Sequence, residues 1–409
     1  MRTFVTSLIL LCCITGVVSA APDPALRKEI DDLKAQIQQM TERLRELEQK
    51  LAQQEAQQAA PAVPATNLPQ ISVVANGGVL FQDRKRDKNR NRFEQDELEL
   101  AFQSYVYPSI RFDAIVAFDK EEDFSASVEE AYATVIQLGN TPFGARLGRM
   151  RLPFGRVNPI HPHQLLYRDY PLPVANLLGE HGALSNGGVL KYLAPSGNVF
   201  AELQLGLFTL NDHAALGVPH AHEHEEGEEE HEPSALGARG QLLRMARLTL
   251  APVINRDNEL EIGLSGLTTR AQNGDNLRLL GADFQYRRFF GAAQRLLIAG
   301  EWLQHRRESG GAAANRQGYY LLASYKPDRY WEYGVRYDWS RRAFLEADED
   351  VTGADRALSA ILTYRLNEQS FLRLQWRNLK PADDSVRNEL MLQLMFGFGP
   401  HSHPLESTQ

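Results

Sequence analysis

Four histidines, His220, His222, His224 and His231, stand among seven glutamates between positions 220 and 232, including Glu223, Glu225 and Glu226, with no lysine or arginine in the stretch. Imidazole nitrogen suits zinc, copper and nickel, and clustered carboxylates concentrate any cation. Because the stretch is of low complexity, the expected chemistry is weak, multivalent capture of divalent metal rather than a fixed four-ligand site. A solvated acidic loop is the plainer alternative. A second pair of candidate metal ligands, His161 and His163, brackets Pro162 in a segment that also holds Pro153, Pro159, Pro171 and Pro173. There the alternative is a long loop stiffened by prolines, its histidines satisfied by neighbours. Opposite charge is offered by Arg149, Arg151, Arg156 and Arg168, a guanidinium track of the kind that pairs with phosphate oxygens. Covalent chemistry finds little footing: His305 and the His181/Ser185 neighbourhood are its best starts, and no spacing marks a triad or dyad.

The chain that positions these groups begins with Arg2, an apolar run from Phe4 to Val18 and Ser19-Ala20 before Ala21, which reads as a secretory signal over 1–20. Both cysteines, Cys12 and Cys13, fall within it, leaving a mature chain without thiols. Beyond the signal no apolar stretch approaches the roughly 18 to 20 residues of a spanning helix, which excludes a helical membrane protein. Without Arg2 the 44 basic residues fall to 43 against 52 acidic ones, so no basic surface points to nucleic acid.

Leu26, Ile30, Leu33, Ile37, Met40, Leu44, Leu47 and Leu51 keep one apolar seam at alternating spacings of four and three. That seam predicts an α-helical coiled coil over 21–58 and self-association through it. A homo-oligomer is expected, a trimer by preference, although the mixed residues at the seam do not fix the number. Residues 59–70, with Pro61, Pro64 and Pro69, read as a Pro/Ala linker, and 400–409 as a short tail.

From Ile71 the period changes to two. Trp331, Tyr333, Val335, Tyr337 and Trp339 alternate with Glu332, Gly334, Arg336, Asp338 and Ser340, one side oily and the other wet. Sixteen such segments span 71–399: 71–82, 95–107, 109–119, 127–139, 143–151, 186–194, 198–210, 238–252, 258–270, 275–289, 293–306, 316–327, 330–341, 355–367, 369–380 and 386–398. Tight turns alternate with longer connections such as 152–185, 211–237 and 342–354, the asymmetry of an outer-membrane barrel with short periplasmic turns. Lipid offers nothing to an unpaired edge amide, so the sheet must close. The fold class expected is all-β, a 16-stranded antiparallel transmembrane β-barrel preceded by an N-terminal coiled coil, which this orientation places in the periplasm of a Gram-negative cell. A barrel of this size holds a watery lumen, for which Glu97, Glu99, Arg149, Arg151, Arg336, Arg373 and Arg377 are candidate lining residues.

Several motifs carry a resemblance. Gly148-Arg149-Met150-Arg151-Leu152-Pro153-Phe154-Gly155 resembles a strand-into-loop motif of the phosphate-selective porin O and P-like family. His161-Pro162-His163, Tyr170-Pro171-Leu172-Pro173, Leu178-Gly179-Glu180, Asn186-Gly187-Gly188-Val189 and the closing Phe398-Gly399-Pro400-His401-Ser402-His403 are similar to a branch labelled zinc-regulated outer-membrane proteins. Some members carry a TonB-dependent receptor label; this chain departs from it, being too short for a 22-stranded barrel with a plug. The resemblance implies that the third outer loop, 152–185, folds into the barrel and sets its constriction, with His161, His163, Arg168, Asp169, Glu180 and His181 near the narrowest point. It implies a passive porin rather than an enzyme, without a bound cofactor beyond weakly held zinc or another divalent metal. Three readings stay open: a channel biased to divalent transition metals, an anion channel for phosphate, and a tether gripping the cell wall.

Overall fold

The computed structural model describes residues 69–83, 90–119, 125–194, 197–209, 242–270, 276–309, 312–343, 353–367, 369–382 and 385–399, together with Arg43. The signal, the linker up to 68, the tail, the long 210–241 connection and, apart from Arg43 (helical and exposed), the coiled-coil span lie outside the described residues, and Gln70 of the expected linker opens the first strand instead.

Period-two sequence becomes sixteen strands: β1 (Gln70–Gln82), β2 (Arg92–Tyr107), β3 (Ile110–Asp119), β4 (Ala126–Val135), β5 (Phe143–Arg151), β6 (Leu184–Leu193), β7 (Val199–Thr209) and β8 (Leu242–Asn255), then β9 (Asn258–Arg270), β10 (Asn276–Phe289), β11 (Arg295–Ser309), β12 (Ala312–Lys326), β13 (Trp331–Ser340), β14 (Asp355–Asn367), β15 (Ser370–Lys380) and β16 (Arg387–Phe398). Each pairs antiparallel with its chain neighbours, and β1 pairs with β16 from Val73↔Phe398 to Gln82↔Glu389, closing the barrel. Closure leaves no strand edge to be satisfied from outside. No helix among the described residues is long and apolar enough to cross a membrane.

The alternation is plain in β13, where Trp331, Tyr333, Val335 and Tyr337 are exposed while Glu332, Arg336 and Asp338 are buried. β15 repeats it, with Leu372, Leu374 and Trp376 outside and Arg373 and Gln375 inside. An outer face of leucine, valine and aromatic side chains is what lipid requires. Tyr105, Tyr107, Phe290, Tyr330 and Trp331 are exposed near the short-turn rim, where an aromatic girdle belongs. Both β1 and β16 have their free chain ends at that rim, as the strand order demands.

The segment boundaries agree with the sequence pattern to within about four residues: β8 runs 242–255 rather than 238–252, and β12 begins at 312 rather than 316. β4 ends at Val135 rather than 139, and 136–142 form a loop in which the Leu138 amide donates to the Phe143 carbonyl and the Thr141 hydroxyl caps the Leu138 carbonyl. Gly139 takes the left-handed conformation at φ 60° that this turn needs.

Candidate functional site

The connection from β5 to β6, residues 152–183, lies inside the barrel, and most side chains along it are buried. Asn158 folds it back on itself: its amide donates to the carbonyls of Leu152 and Ala183 at 2.7 and 3.0 Å, and its oxygen accepts from the Ala183 amide at 2.7 Å. A 3₁₀ turn (Pro162–Gln164) and a short helix α1 (Leu172–Leu178) are its regular pieces.

Three sides of the barrel hold this loop by different means. On the β8–β12 side the contact is apolar. Loop residues Phe154, Val157, Leu165, Tyr167, Val174, Leu177 and Leu178 form one buried cluster with Leu243, Met245, Leu267, Leu277, Leu279, Leu297, Leu303, Tyr320 and Leu322. Alternation predicts a wet inner face throughout; along this wall leucines interleave with buried polar side chains such as Arg247, Asp283 and Glu301, because the loop covers it. Within the same side, Glu301 accepts from the Arg156 and Val157 amides at 3.2 and 3.4 Å.

On the β13–β15 side the contact is a latch of charge. Asp169 pairs with Arg336 at 2.9 Å and with Arg377, and accepts from the Gln375 amide at 2.5 Å. Arg336 also pairs with Asp338 at 3.0 Å and Arg377 with Glu389 at 2.5 Å, while Arg373 donates to the Leu165 carbonyl at 2.7 Å. Burial alone would raise the Asp169 carboxyl, but Arg377 and Arg336 more than offset it and hold it well below the usual carboxylate range. Arg168 pairs with Glu94 on β2.

On the β2–β4 side the two loop histidines meet carboxylates. His161 precedes a proline and is extended at φ −67°, ψ 145°, as such residues prefer; the turn that follows closes with the Gln164 amide on the His161 carbonyl at 3.0 Å. His161 Nδ1 lies 3.2 Å from Glu99 Oε2 and 3.2 Å from Glu129 Oε2, and its Nε2 lies 3.5 Å from Glu130 Oε2. His163 Nδ1 lies 3.5 Å from Glu97 Oε2 and 3.6 Å from Glu99 Oε2. Arg151 pairs with Glu129 at 2.9 Å and donates to the Tyr170 hydroxyl at 3.0 Å and the His181 carbonyl at 2.7 Å. All of these side chains are largely or wholly out of water. Burial pushes His163 down to about 4, so it is a neutral imidazole at neutral pH. Burial would also lower His161, but Glu99 and hydrogen bonds to Glu129 and Glu130 outweigh it and hold that ring well above its ordinary value.

His161, His163, Glu97, Glu99 and Arg151 are thus brought into one cluster, and Arg168, Asp169, Arg336, Arg373 and Arg377 into the loop's other contacts. The arginines expected as bare lumen lining are instead engaged by the loop. Arg149 corrects its expectation: it shares the face of exposed Leu147, not of buried Met150, and donates to the Val128 and Glu129 carbonyls at 2.8 and 3.2 Å. Glu180 and His181, placed at the constriction by resemblance, have exposed side chains. Ser185, beside His181 in sequence, donates its hydroxyl to the Thr209 carbonyl. His220, His222, Glu223, His224, Glu225, Glu226 and His231 lie outside the described residues.

Glu129 and Glu130 escaped the sequence reading because strict alternation sends neighbours to opposite faces. A bulge between Ile115 and Val116 of β3 pairs them with Glu130 and Val128 and skips Glu129, which lets both carboxylates reach His161. Two adjacent acids in an otherwise alternating strand were the available signal.

A further cavity of about 780 Å³ opens at the short-turn rim, lined in part by Arg295, Lys326, Arg329, Tyr330 and Arg365.

A closed sixteen-stranded antiparallel barrel with an oily exterior is a fold that this chain shares with solved outer-membrane porins. Solved structures bear this out at the level of fold. The anion-selective porin from Comamonas acidovorans matches with a TM-score of 0.53 at 12% identity, over 81% of this chain and 99% of that one. OprB of Pseudomonas putida matches at 0.53 and 10%, over 81% and 94%, and OmpF of Salmonella typhi at 0.53 and 11%, over 81% and 98%. In sequence, an uncharacterized protein of Aquifex aeolicus (strain VF5) is 27% identical over 346 residues, 76% of this chain and 70% of that protein. No family model matches the chain.

Proposed function

We propose that the protein is a passive channel of a Gram-negative outer membrane, biased toward divalent transition-metal cations such as zinc. The resemblance of its loop motifs to the zinc-regulated branch of phosphate-selective porin O and P-like proteins points the same way. One observation carries the bias: Arg336, Arg377 and Arg151 are each paired with carboxylates, whereas Glu97 and Glu99 face imidazoles. Charge that is already neutralised repels little, so the side of the lumen with a surplus of carboxylate sets the sign. The His/Glu stretch around 220–232 adds the same sign in the connection from β7 to β8, on the long-loop side of the barrel.

Purified protein in a planar bilayer under a potassium chloride gradient gives a reversal potential of cation-selective sign, and micromolar zinc shifts it. Removing residues 219–233 lowers the zinc retained in calorimetry; unchanged retention takes that stretch out of the mechanism. A reversal potential of the opposite sign returns the anion reading, which the basic cavity at the short-turn rim favours and which would suit phosphate. Absence of any conductance leaves a tether to the cell wall, with the coiled coil as its grip. Assembly as a homo-oligomer, with three copies the working expectation, is read by light scattering in detergent.

A further inference from the structure

The cluster on the β2–β4 side has the makings of a coordination site. Glu97, Glu99, His161 and His163 each offer one ligand atom, all four atoms lie within 4.8 Å of one another, and all four residues are buried. Three of the six ligand–ligand separations are 3.2, 3.5 and 3.6 Å. A tetrahedral ion with bonds of about 2.0–2.2 Å sets its ligands about 3.3–3.6 Å apart, so these three edges lie close to the length an ion would impose. Nitrogen and carboxylate oxygen are the ligands that zinc-class ions take together.

A second observation is independent of those distances. Metal-bound imidazoles almost always hand their other ring nitrogen to a carboxylate or carbonyl, which fixes the tautomer and aims the ligating nitrogen. His161 has that arrangement: Nδ1 faces Glu99 and Glu129, each at 3.2 Å, while Nε2 faces Glu130 at 3.5 Å. Charge gives a third. Glu97, Glu99, Glu129 and Glu130 converge on one side of the barrel, where the Arg151 guanidinium pairs with Glu129 and the Arg151 backbone amide donates to Glu130 at 2.7 Å. Four carboxylates brought together out of water favour a divalent cation strongly.

We infer that Glu97 and Glu99 of β2 with His161 and His163 of the infolded loop form a binding site for one divalent transition-metal ion, which staples the loop to the barrel wall. The two carboxylates stand on the wall and the two imidazoles on the loop, so a bound ion joins elements more than 60 positions apart in sequence. Metal at this position is therefore a regulator of the loop as much as a solute on its way through. Glu130 is a positioning residue for His161.

The test uses cobalt(II) on the full-length protein in detergent, followed by visible absorption and by the amount of metal retained after dialysis. Intense tetrahedral ligand-field bands and one tightly held equivalent are expected. His161→Gln/His163→Gln abolishes the bands and lowers the stoichiometry by that equivalent, leaving whatever the 220–232 stretch binds. Glu130→Gln keeps all four ligands and weakens the site by about 10–100-fold, a shift a merely structural role would not produce. Absence of the bands in the unmodified protein overturns the inference, as does their survival in the double variant. Circular dichroism of each variant reports whether the barrel has formed; should the double variant fail to form, Glu130→Gln and the unmodified protein decide. The site deepens the proposed metal bias but rests on the location of the loop inside the barrel and not on conduction. Conductance without cobalt bands sinks the site and spares the channel; bands without conductance do the reverse.

Discussion

Asp169 shows how much one side chain carries. Its carboxylate meets Arg336, Arg377 and Gln375 from two strands, so Asp169→Asn leaves two guanidinium groups short of a counter-charge. Breaking a buried pair costs about 3–5 kcal/mol, and with the Asp169 side chain 23% exposed the cost falls to about 2–3 kcal/mol. The expected outcome is faster proteolysis within 152–183 and noisier single-channel currents, with the barrel intact by circular dichroism. The pH dependence has a definite sign. Since the folded carboxyl sits below its ordinary value, the latch is complete above about pH 4 and is lost as pH falls through the depressed value. Loop protection measured by hydrogen exchange therefore holds from neutral pH down to about 4. At this scale the sequence was partly legible. His161, His163, Glu97 and Glu99 were each recognisable as chemically able, but as two separate groups, loop metal ligands and lumen lining. What joined them is the depth to which the loop descends, a property of its whole path that no single spacing encodes.

Among elements, the loop and the wall from β8 to β12 explain each other. Leu177 and Leu178 of α1 are fully buried against that wall, and Leu177→Ala is expected to cost about 2–5 kcal/mol, read as lost amide protection in the loop ahead of the strands. Gly155 is more demanding. Its φ is +65°, and a Cβ there would stand 1.7 Å from Glu301 Oε1, so Gly155→Ala must displace Glu301 from the amides it caps as well as strain the backbone. Its effect on loop protection should match or exceed that of Leu177→Ala. The strands themselves were readable from alternation to within a few residues, as β13 and β14 show. The oily inner wall was not. Consecutive apolar residues such as Leu242-Leu243 and Leu279-Leu280 leave the inward face undecided, and only the loop's own leucines, far away in sequence, say that one member of each pair needs a dry partner.

For the whole molecule, the governing distinction is between the face that meets lipid and the face that does not. Leu374 and Arg373 are chain neighbours on opposite sides of β15. Leu374→Arg places a charge in the hydrocarbon and is expected to destabilise the barrel by about 2–4 kcal/mol near mid-membrane, measured by urea unfolding in lipid vesicles. Arg373→Gln, by contrast, removes a donor to the Leu165 carbonyl and is expected to loosen the loop while sparing the barrel. The oily wall beneath the loop also bears on the order in which the molecule is made. Leu243, Leu279, Leu297 and Leu303 on that inner wall would meet water in a cylinder closed without its loop. The expected order is therefore that the segment after β5 is tucked against the sheet before β1 meets β16, read by pulse-labelled hydrogen exchange as loop protection that arises no later than closure.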